Sequence, residues 1–409
     1  MTPSTCRFCG VGLRRSFVDL GSAPLSNSFL TTERLRTMEP HYPLHAYVCE
    51  NCLLVQLEEF ASAEAIFSDY LYFSSFSETW LRHAEAFAAR MTRELKLCSR
   101  SLVVELASND GYLLQYFRQM DVGVLGVEPA ANVAAAAETL GVPTEVAFFG
   151  KATARRLADA GKQADLICAN NVLAHVPDLN DFVAGLPILL KPAGTIAVEF
   201  PHLLHLMANR QFDTIYHEHF SYFSLLVVDK VFARHGLRVF DVDCLQTHGG
   251  SLRIHACHAA AARPRTKRFH AALGEEKEAG LNDLATYDRF GATAVNVKCQ
   301  VLEFLIEARR EGKLVAGYGA PAKGNTLLNY CGVGPELLAF TVDRSPHKQG
   351  RFLPGRQIPI FAPERIFAAQ PDYVFILPWN LKEEIIDQMR GVRDWGGKFV
   401  VPIPSLQVI

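Results

Sequence analysis

The chain has 409 residues, 49% of them hydrophobic and 21% charged, with a formal net charge of -2. Two or three domains fit that length, each with its own core, and the near-neutral balance leaves no electrostatic case for nucleic acid or an anionic membrane as the main partner. No apolar run is long enough to span a bilayer, and the stretch from Met1 to Cys6 carries no apolar signal core. Ten cysteines in such a chain predict reduced thiols and a metal, not a disulfide framework, and a cytoplasmic location.

Cys6-Arg7-Phe8-Cys9 and Cys49-Glu50-Asn51-Cys52 form two C-x-x-C pairs. Each pair can place two thiolates on one turn, and two such knuckles complete a tetrahedral soft-ligand shell for zinc. A redox pair or four unrelated cysteines are the competing readings, but one redox site does not need two knuckles. All four positions are filled and no open ligand is needed, so the expected zinc is structural. Residues 1–68 are expected to form this zinc-binding domain. Cys98, Cys168, Cys244, Cys257, Cys299 and Cys331 read as core or incidental.

From Leu102 the pattern changes to alternating strands and helices. Leu102 to Leu106 is a buried strand ending near Glu105, Ala107 to Gly111 is a tight loop, and Tyr112 to Met120 reads as an amphipathic helix. A second strand, Val124 to Glu128, ends in an acid and is followed by an Ala-rich helix from Asn132 to Leu140. Asp165 to Ala169 is a strand ending in Asn170 and Asn171. Thr195 to Glu199 is another, after turn residues at Pro192 to Gly194. Such repeats predict a doubly wound parallel sheet, with ligands beyond the carboxyl ends of its strands. An acid at Glu128 suits ribose hydroxyls, and the loop of Ala107, Asn109 and Gly111 suits close backbone approach to a cofactor. The layout resembles S-adenosylmethionine (SAM)-dependent methyltransferases, except that Ala107 and Ser108 stand where glycines are usual. Val146 to Phe149 can pack on the adenine or belong to the core.

The run Ile215 to Ser224 is the densest patch of reactive side chains. Tyr216, His217, Glu218 and His219 can each accept or donate a proton, among aromatics that exclude water and shift pKa values. A carboxylate beside a histidine can orient the imidazole for general-base work; a polar edge with hydrogen-bonded histidines is the plain alternative. After a charge-mixed helical connector, read as a solvated helix face, Val315 to Pro321 follows a short strand and precedes a helix. With Asp343 ending the next strand, it imitates a dinucleotide fingerprint. Its backbone donors can cradle a pyrophosphate, and three readings stay open: a nicotinamide site, the diphosphate of a nucleotide sugar, or a domain that only packs.

Taken together, Tyr70 to Ser75, Asn171 to Pro177, Tyr216 to Ser224, Thr247 to Arg253, Gly317 to Gly324 and Asp343 to Arg351 resemble the sugar C-methyltransferases that act on nucleotide-linked 4-keto-deoxyhexoses. The resemblance covers the whole chain. It implies a zinc-binding domain (1–68), a Rossmann-like methyltransferase domain (69–260), a connector (261–310) and a smaller C-terminal α/β domain (311–409). It implies His219 as the base, assisted by Glu218 and Tyr216, with His175 nearby. SAM contacts are implied at Glu105, Ala107, Asn109, Gly111, Glu128, Pro129, Asn170 and Asn171, and at Tyr72, Ser74 and Ser75. Substrate contacts are implied at Tyr222, His248, Gly249, Gly250, Arg253 and Asn325, with Lys323, Lys348 and Arg351 on the nucleotide diphosphate. His217 departs from the family, which often has a smaller or acidic residue there. Glu199 to His202 departs too, from an acid-rich version.

The chemistry asks for the same groups. A C–H bond yields to a protein base only beside a carbonyl that can take the charge as an enolate. Methyl transfer to carbon then needs a base, a donor for the enolate oxygen and a sulfonium methyl in line. The expected activity is SAM-dependent methylation of the carbon, C3, beside the ketone of a thymidine-diphosphate 4-keto sugar, by a monomer or weak homo-oligomer. The rivals are an NAD-dependent nucleotide-sugar oxidoreductase or epimerase, an O- or N-methyltransferase, and a zinc-dependent binding module.

Overall fold

A computed structural model describes residues 4–62, 74–76, 78–261 and 263–409. Three sheets organise the described residues. The N-terminal one begins with β1 (Arg15–Ala23), β2 (Tyr42–Val48) and β3 (Val55–Leu57), all antiparallel. Alternation of buried and exposed residues in β2 turns Leu44, Ala46 and Val48 inward, as a half-covered antiparallel sheet requires.

The central sheet contains β4 (Leu102–Leu106), β5 (Gly123–Val127), β6 (Thr144–Glu145), β7 (Ala164–Asn170) and β8 (Leu190–Pro201). The next strand, β9 (Ser221–Tyr222), leaves this sheet and adds antiparallel to β3 of the N-terminal one. The hairpin β10 (Leu237–Leu245) and β11 (Ser251–His258) then closes the central sheet, in the order β10-β11-β8-β7-β4-β5-β6. From β4 the chain winds outward through β5 to β6, then restarts on the other side with β7. That reversal opens a crevice at the carboxyl ends of β4 and β7, where ligands of such sheets bind. The valine-rich β4 is buried on both faces, as a central parallel strand must be. Pro192 to Gly194, expected as a turn before a strand, lies inside β8, where the register with β7 shifts by a bulge.

The C-terminal sheet has β12 (Val315–Tyr318), β13 (Thr341–Val342), β14 (Ile360–Phe361), β15 (Tyr373–Ile376), β16 (Lys398–Val401) and β17 (Gln407–Val408). Its first five strands are parallel. The connector is not only a solvated face. Its helices Lys267–Glu278 and Phe290–Arg310 bury Phe269, Val297, Val301 and Leu305, and Phe290 stacks on Phe17 of β1 at 4.5 Å. Glu276, fully buried, accepts the Leu225 and Leu226 amides at 2.5 and 2.8 Å and pairs with His202 at 2.6 Å. It therefore caps the helix that follows the Ile215 to Ser224 run. No helix among the described residues is long and apolar enough to cross a membrane.

Candidate active site

One cavity of about 530 Å³ runs from the crevice of the central sheet to the C-terminal domain. At the crevice end Ala107, Asn109, Glu128 and Pro129 line it, with Ala147 to Phe149 alongside. Ala107 and Asn109 sit at φ of 53° and 50°, the left-handed region that glycine adopts without strain. Ala107 thus takes a glycine-type conformation without being one. The Glu128 carboxylate accepts the Asn109 amide at 3.0 Å and the Ala130 amide at 2.9 Å. Burial pushes its pKa up against those two bonds. Each oxygen keeps a second lone pair, enough for two hydroxyls.

Deeper in, Asn170, Asn171 and Ser74 line the wall. Ser74 and Ser75 donate their amides to Asn109 Oδ1 and Asp110 Oδ2; Tyr72 lies outside the described residues. Glu105 and Gly111 are not in the wall. Glu105 is fully buried behind it beside Tyr112, and burial raises its pKa well above the carboxylate range. Gly111 turns the loop at φ 79°, where a Cβ would press on Ala137 and Val142 at 3.2–3.3 Å.

The run after Ile215 is strung between all three parts of the molecule. Ile215 O accepts from Thr326 Oγ1 of the C-terminal domain at 3.1 Å. Buried His217 Nε2 donates to Pro43 O of β2, and Asn27 of the N-terminal module donates to Glu218 Oε1 at 2.7 Å. Phe220 gives its amide to Ala174 O and takes the Leu57 amide on its carbonyl. Tyr216, Glu218, His219, His175 and His248 consequently reach the cavity.

Hydrogen bonding sets the tautomers. His219 Nδ1 lies 2.9 Å from Thr214 O, and a carbonyl only accepts, so Nδ1 carries the proton. The Nε2 lone pair then faces the Tyr216 hydroxyl at 2.8 Å. His175 follows suit, with Nδ1 on Glu218 O at 2.8 Å and its ring 4.7 Å from that of His219. The orienting role expected of the Glu218 carboxylate therefore falls to the Thr214 carbonyl; adjacent side chains in this tight turn diverge. Burial lowers the His219 pKa well below 6.5, neighbouring His175 lowers it further, and burial pushes His175 down to about 4. Both rings are neutral at pH 7.

Several expected substrate contacts lie elsewhere. Arg253 is buried against the Phe87 face and paired with Glu199; burial pushes Glu199 up, but His83 and Arg253 hold it at about 2. Glu199 also accepts Thr247 Oγ1 at 2.8 Å, so this cluster anchors the loop carrying His248. Gly249 abuts Trp379 and Gly250 abuts His205, each leaving no room for a Cβ. Tyr222 is committed to β9, Asn325 is buried in the helix Ala322–Cys331, and Arg351 is outside the wall. Lys323 and Lys348 do line the cavity. The glycine loop is closely packed at Gly319. A Cβ on Gly319 would lie 2.6 Å from Pro378, and Asp343 accepts the Ala320 and Ser345 amides at 2.8 Å each.

The cysteine pairs converge. Cys6 and Cys52 sulfurs are 3.5 Å apart, as are those of Cys9 and Cys49, and all four lie within 4.8 Å. That spacing suits Zn–S bonds of about 2.3 Å around one ion.

Three family descriptions match consecutive parts of the chain: "Putative zinc binding domain" over residues 6–67, "Methyltransferase domain" over 80–242 and "C-methyltransferase C-terminal domain" over 246–404. The C-methyltransferase NovU of Streptomyces niveus is 38% identical over 404 residues, 99% of this chain and 96% of the relative. The chain belongs to the SAM-dependent C-methyltransferase family. A ubiquinone biosynthesis O-methyltransferase of Rhodopseudomonas palustris is 26% identical over 109 residues, 27% of this chain and 43% of the relative. A solved SAM-dependent methyltransferase from Clostridium acetobutylicum matches 44% of this C-methyltransferase and 92% of its own chain, at 14% identity and a TM-score of 0.36. As a C-methyltransferase the chain uses SAM, and its four-cysteine cluster holds zinc. The donor set suits both groups: four thiolates for the ion, and for SAM the buried Oδ1 atoms of Asn170 and Asn171 at the crevice, which have no partner among the described residues.

Sequence reasoning did not find Thr214, Asn27, or Asp213 and Trp379, whose carboxylate and indole N–H meet at 2.7 Å. The first acts through a backbone carbonyl, and the others act across long sequence separations that leave no local pattern.

Proposed function

We propose that this C-methyltransferase methylates C3, beside the ketone of a thymidine-diphosphate 4-keto-deoxysugar, through an enolate generated by His219. The observation that carries this is a neutral histidine, locked with its Nε2 lone pair toward a cavity that continues into a ribose-type acid site. Bound SAM supplies the electrophilic methyl. Glu128 and the Ala107–Asn109 backbone hold the nucleoside, and Ser74, Asn170 and Asn171 the amino-acid end. His219 Nε2 takes the α-proton once substrate displaces the Tyr216 hydroxyl, which is then free to donate to the enolate oxygen. His175 shields the base from water and, through Glu218 O, fixes the turn. Lys348 serves the nucleotide end. Such a reaction belongs to the cytoplasm, where SAM and nucleotide sugars meet.

The test is solvent-deuterium wash-in with a thymidine-diphosphate 4-keto-6-deoxyhexose and S-adenosylhomocysteine, followed by NMR. Deuterium should enter at C3. Entry at C5 alone would move the methylated carbon to the other flank of the ketone, and none at either position would reject an enolate. The packing of Pro378 on Gly319 favours this reading over an NAD enzyme, so calorimetry with NAD should show no binding.

Glu128→Ala is expected to weaken S-adenosylhomocysteine binding by about 100-fold, from two lost charge-assisted bonds of roughly 1.5 kcal/mol each. Calorimetry on the folded variant reads this directly. An unchanged affinity would take the ribose away from Glu128.

A further inference from the structure

The C-terminal domain sends one of its cations to the reacting end of the cavity and surrounds it in an unusual way. Lys323 stands in the first turn of the helix Ala322–Cys331. Its ammonium lies over the Trp379 ring, 4.4 Å from the centroid, and donates to Asn380 Oδ1 at 2.7 Å. Trp379 is held in turn by its indole N–H on Asp213 Oδ2 at 2.7 Å. Asp213 is fully buried, and its Oδ1 has no partner among the described residues. A carboxylate so placed is costly unless a cation compensates it, and Lys323 is that cation. Lys348 on the same wall differs, being tied to Ala320 O at 3.0 Å with Asp343 3.5 Å away.

We propose that Asp213 and Trp379 hold the Lys323 ammonium charged and in place, where it stabilises the enolate oxygen formed as His219 takes the α-proton. This rests on the enolate reading above. The C–H bond breaks, its proton passes to His219 Nε2, and the electron pair moves onto the carbonyl oxygen beside Lys323. When the carbon then takes the methyl, the C–S bond breaks and its electron pair stays on sulfur. A fixed cation aimed at the developing charge in a water-poor site is the strongest single aid such a step can have. Asp213 touches no substrate and acts as a positioning residue.

The ionisable groups facing Lys323 are Asp213 from the turn Phe212–Thr214, His219, and His248 from the turn Thr247–Gly249. Burial lowers Lys323 to about 8 and Asp213 opposes that fall; Asp213 itself is pushed up by burial to about 6, with Lys323 holding it down. Protonated Lys323 is the active form, so kcat should fall as pH rises through about 8.

Lys323→Met is expected to lower kcat by about 100-fold, with deuterium wash-in falling in parallel and sugar KM within about threefold. A raised KM with kcat and wash-in intact would overturn the proposal, making Lys323 a phosphate contact. Lys323→Arg should keep part of the activity and lose the alkaline limb, because a guanidinium does not titrate there. Asp213→Asn should move the limb down by about one pH unit; an unmoved limb in a folded variant removes Asp213 from the scheme. Should that variant not fold, Trp379→Phe keeps an aromatic face but releases the tether, and undiminished kcat there overturns the positioning role. Wash-in by the unaltered enzyme reports separately on the enolate reading, so the two failures are distinguishable.

Discussion

Replacing His219 with alanine is expected to lower methyl transfer by about 1,000-fold, the usual worth of a positioned general base, and to abolish deuterium wash-in. S-adenosylhomocysteine affinity should stay within about threefold, because the cofactor end of the cavity is built on β4, β5 and β7 and does not involve the ring. Coupled loss of both chemical readouts with binding intact separates a base from a packing residue. Undiminished wash-in in the variant would remove His219 from the mechanism. The pH profile adds a second check. Burial and neighbouring His175 hold the His219 pKa well below 6.5, so the ring is already the unprotonated base at neutral pH. The acid limb of kcat/KM should therefore fall below the ordinary histidine value. A free imidazole with so low a pKa is a weak base, but the enolate charge developing beside Nε2 strengthens it as the proton moves.

Tyr216→Phe divides two ways of using this histidine. The phenol donates to Nε2 at 2.8 Å. If substrate displaces it, as proposed, the variant should keep wash-in within roughly tenfold. A loss as deep as that of His219→Ala would instead make the phenolic oxygen the group that meets the α-proton and passes its own proton to Nε2.

Much of this site was legible in the sequence because its determinants are local. The apolar run Leu102 to Leu106 is the strand it looked like, and an acid one residue past β5 reaches the crevice as Glu128. Two C-x-x-C pairs found each other across a long loop. What stayed hidden depends on direction and distance. Glu218 stands next to His219 in sequence, yet the turn from Tyr216 sends their side chains apart, and the histidine is oriented by a carbonyl five residues earlier. Arg253 carries the right charge for a substrate, but it lies buried over the Phe87 ring beside Glu199, and that pair consumes it. Asp213 and Trp379 are 166 residues apart, and only the folded C-terminal domain brings them together. Ala107 shows the opposite lesson: a missing glycine does not mean a missing loop, since alanine takes φ 53° where the surrounding bonds of Asn109 and Glu128 hold it.

Removing zinc should silence the enzyme without emptying the cofactor site. In Cys49→Ser, methyl transfer is expected to fall by about 100-fold or more and bound zinc to be lost, while S-adenosylhomocysteine binding stays within about threefold. The reasoning starts at the knuckles. Cys49 gives its amide to Leu54 O and takes that of Leu53, so the second knuckle leads directly into β3. β3 pairs with Ser221 and Tyr222, and the Leu57 amide holds Phe220 O, next to His219. Gln56 of the same strand donates to Cys6 Sγ at 3.1 Å. A structural zinc is worth roughly 10–16 kcal/mol in small domains, comparable to the whole stability of such a module, about 5–15 kcal/mol. Without it the module loosens, and the Ile215 to Ser224 run loses three supports at once: β3, Pro43 on His217 and Asn27 on Glu218. The SAM crevice belongs to the central sheet and keeps its own core. Full activity after zinc loss would show that β9 holds its place unaided. Exchange for cadmium, another soft ion that four thiolates accept, should leave kcat nearly unchanged. A metal that only fixes the position of His219 can be replaced by any ion that closes the same shell, whereas one acting as a Lewis acid on the ketone cannot.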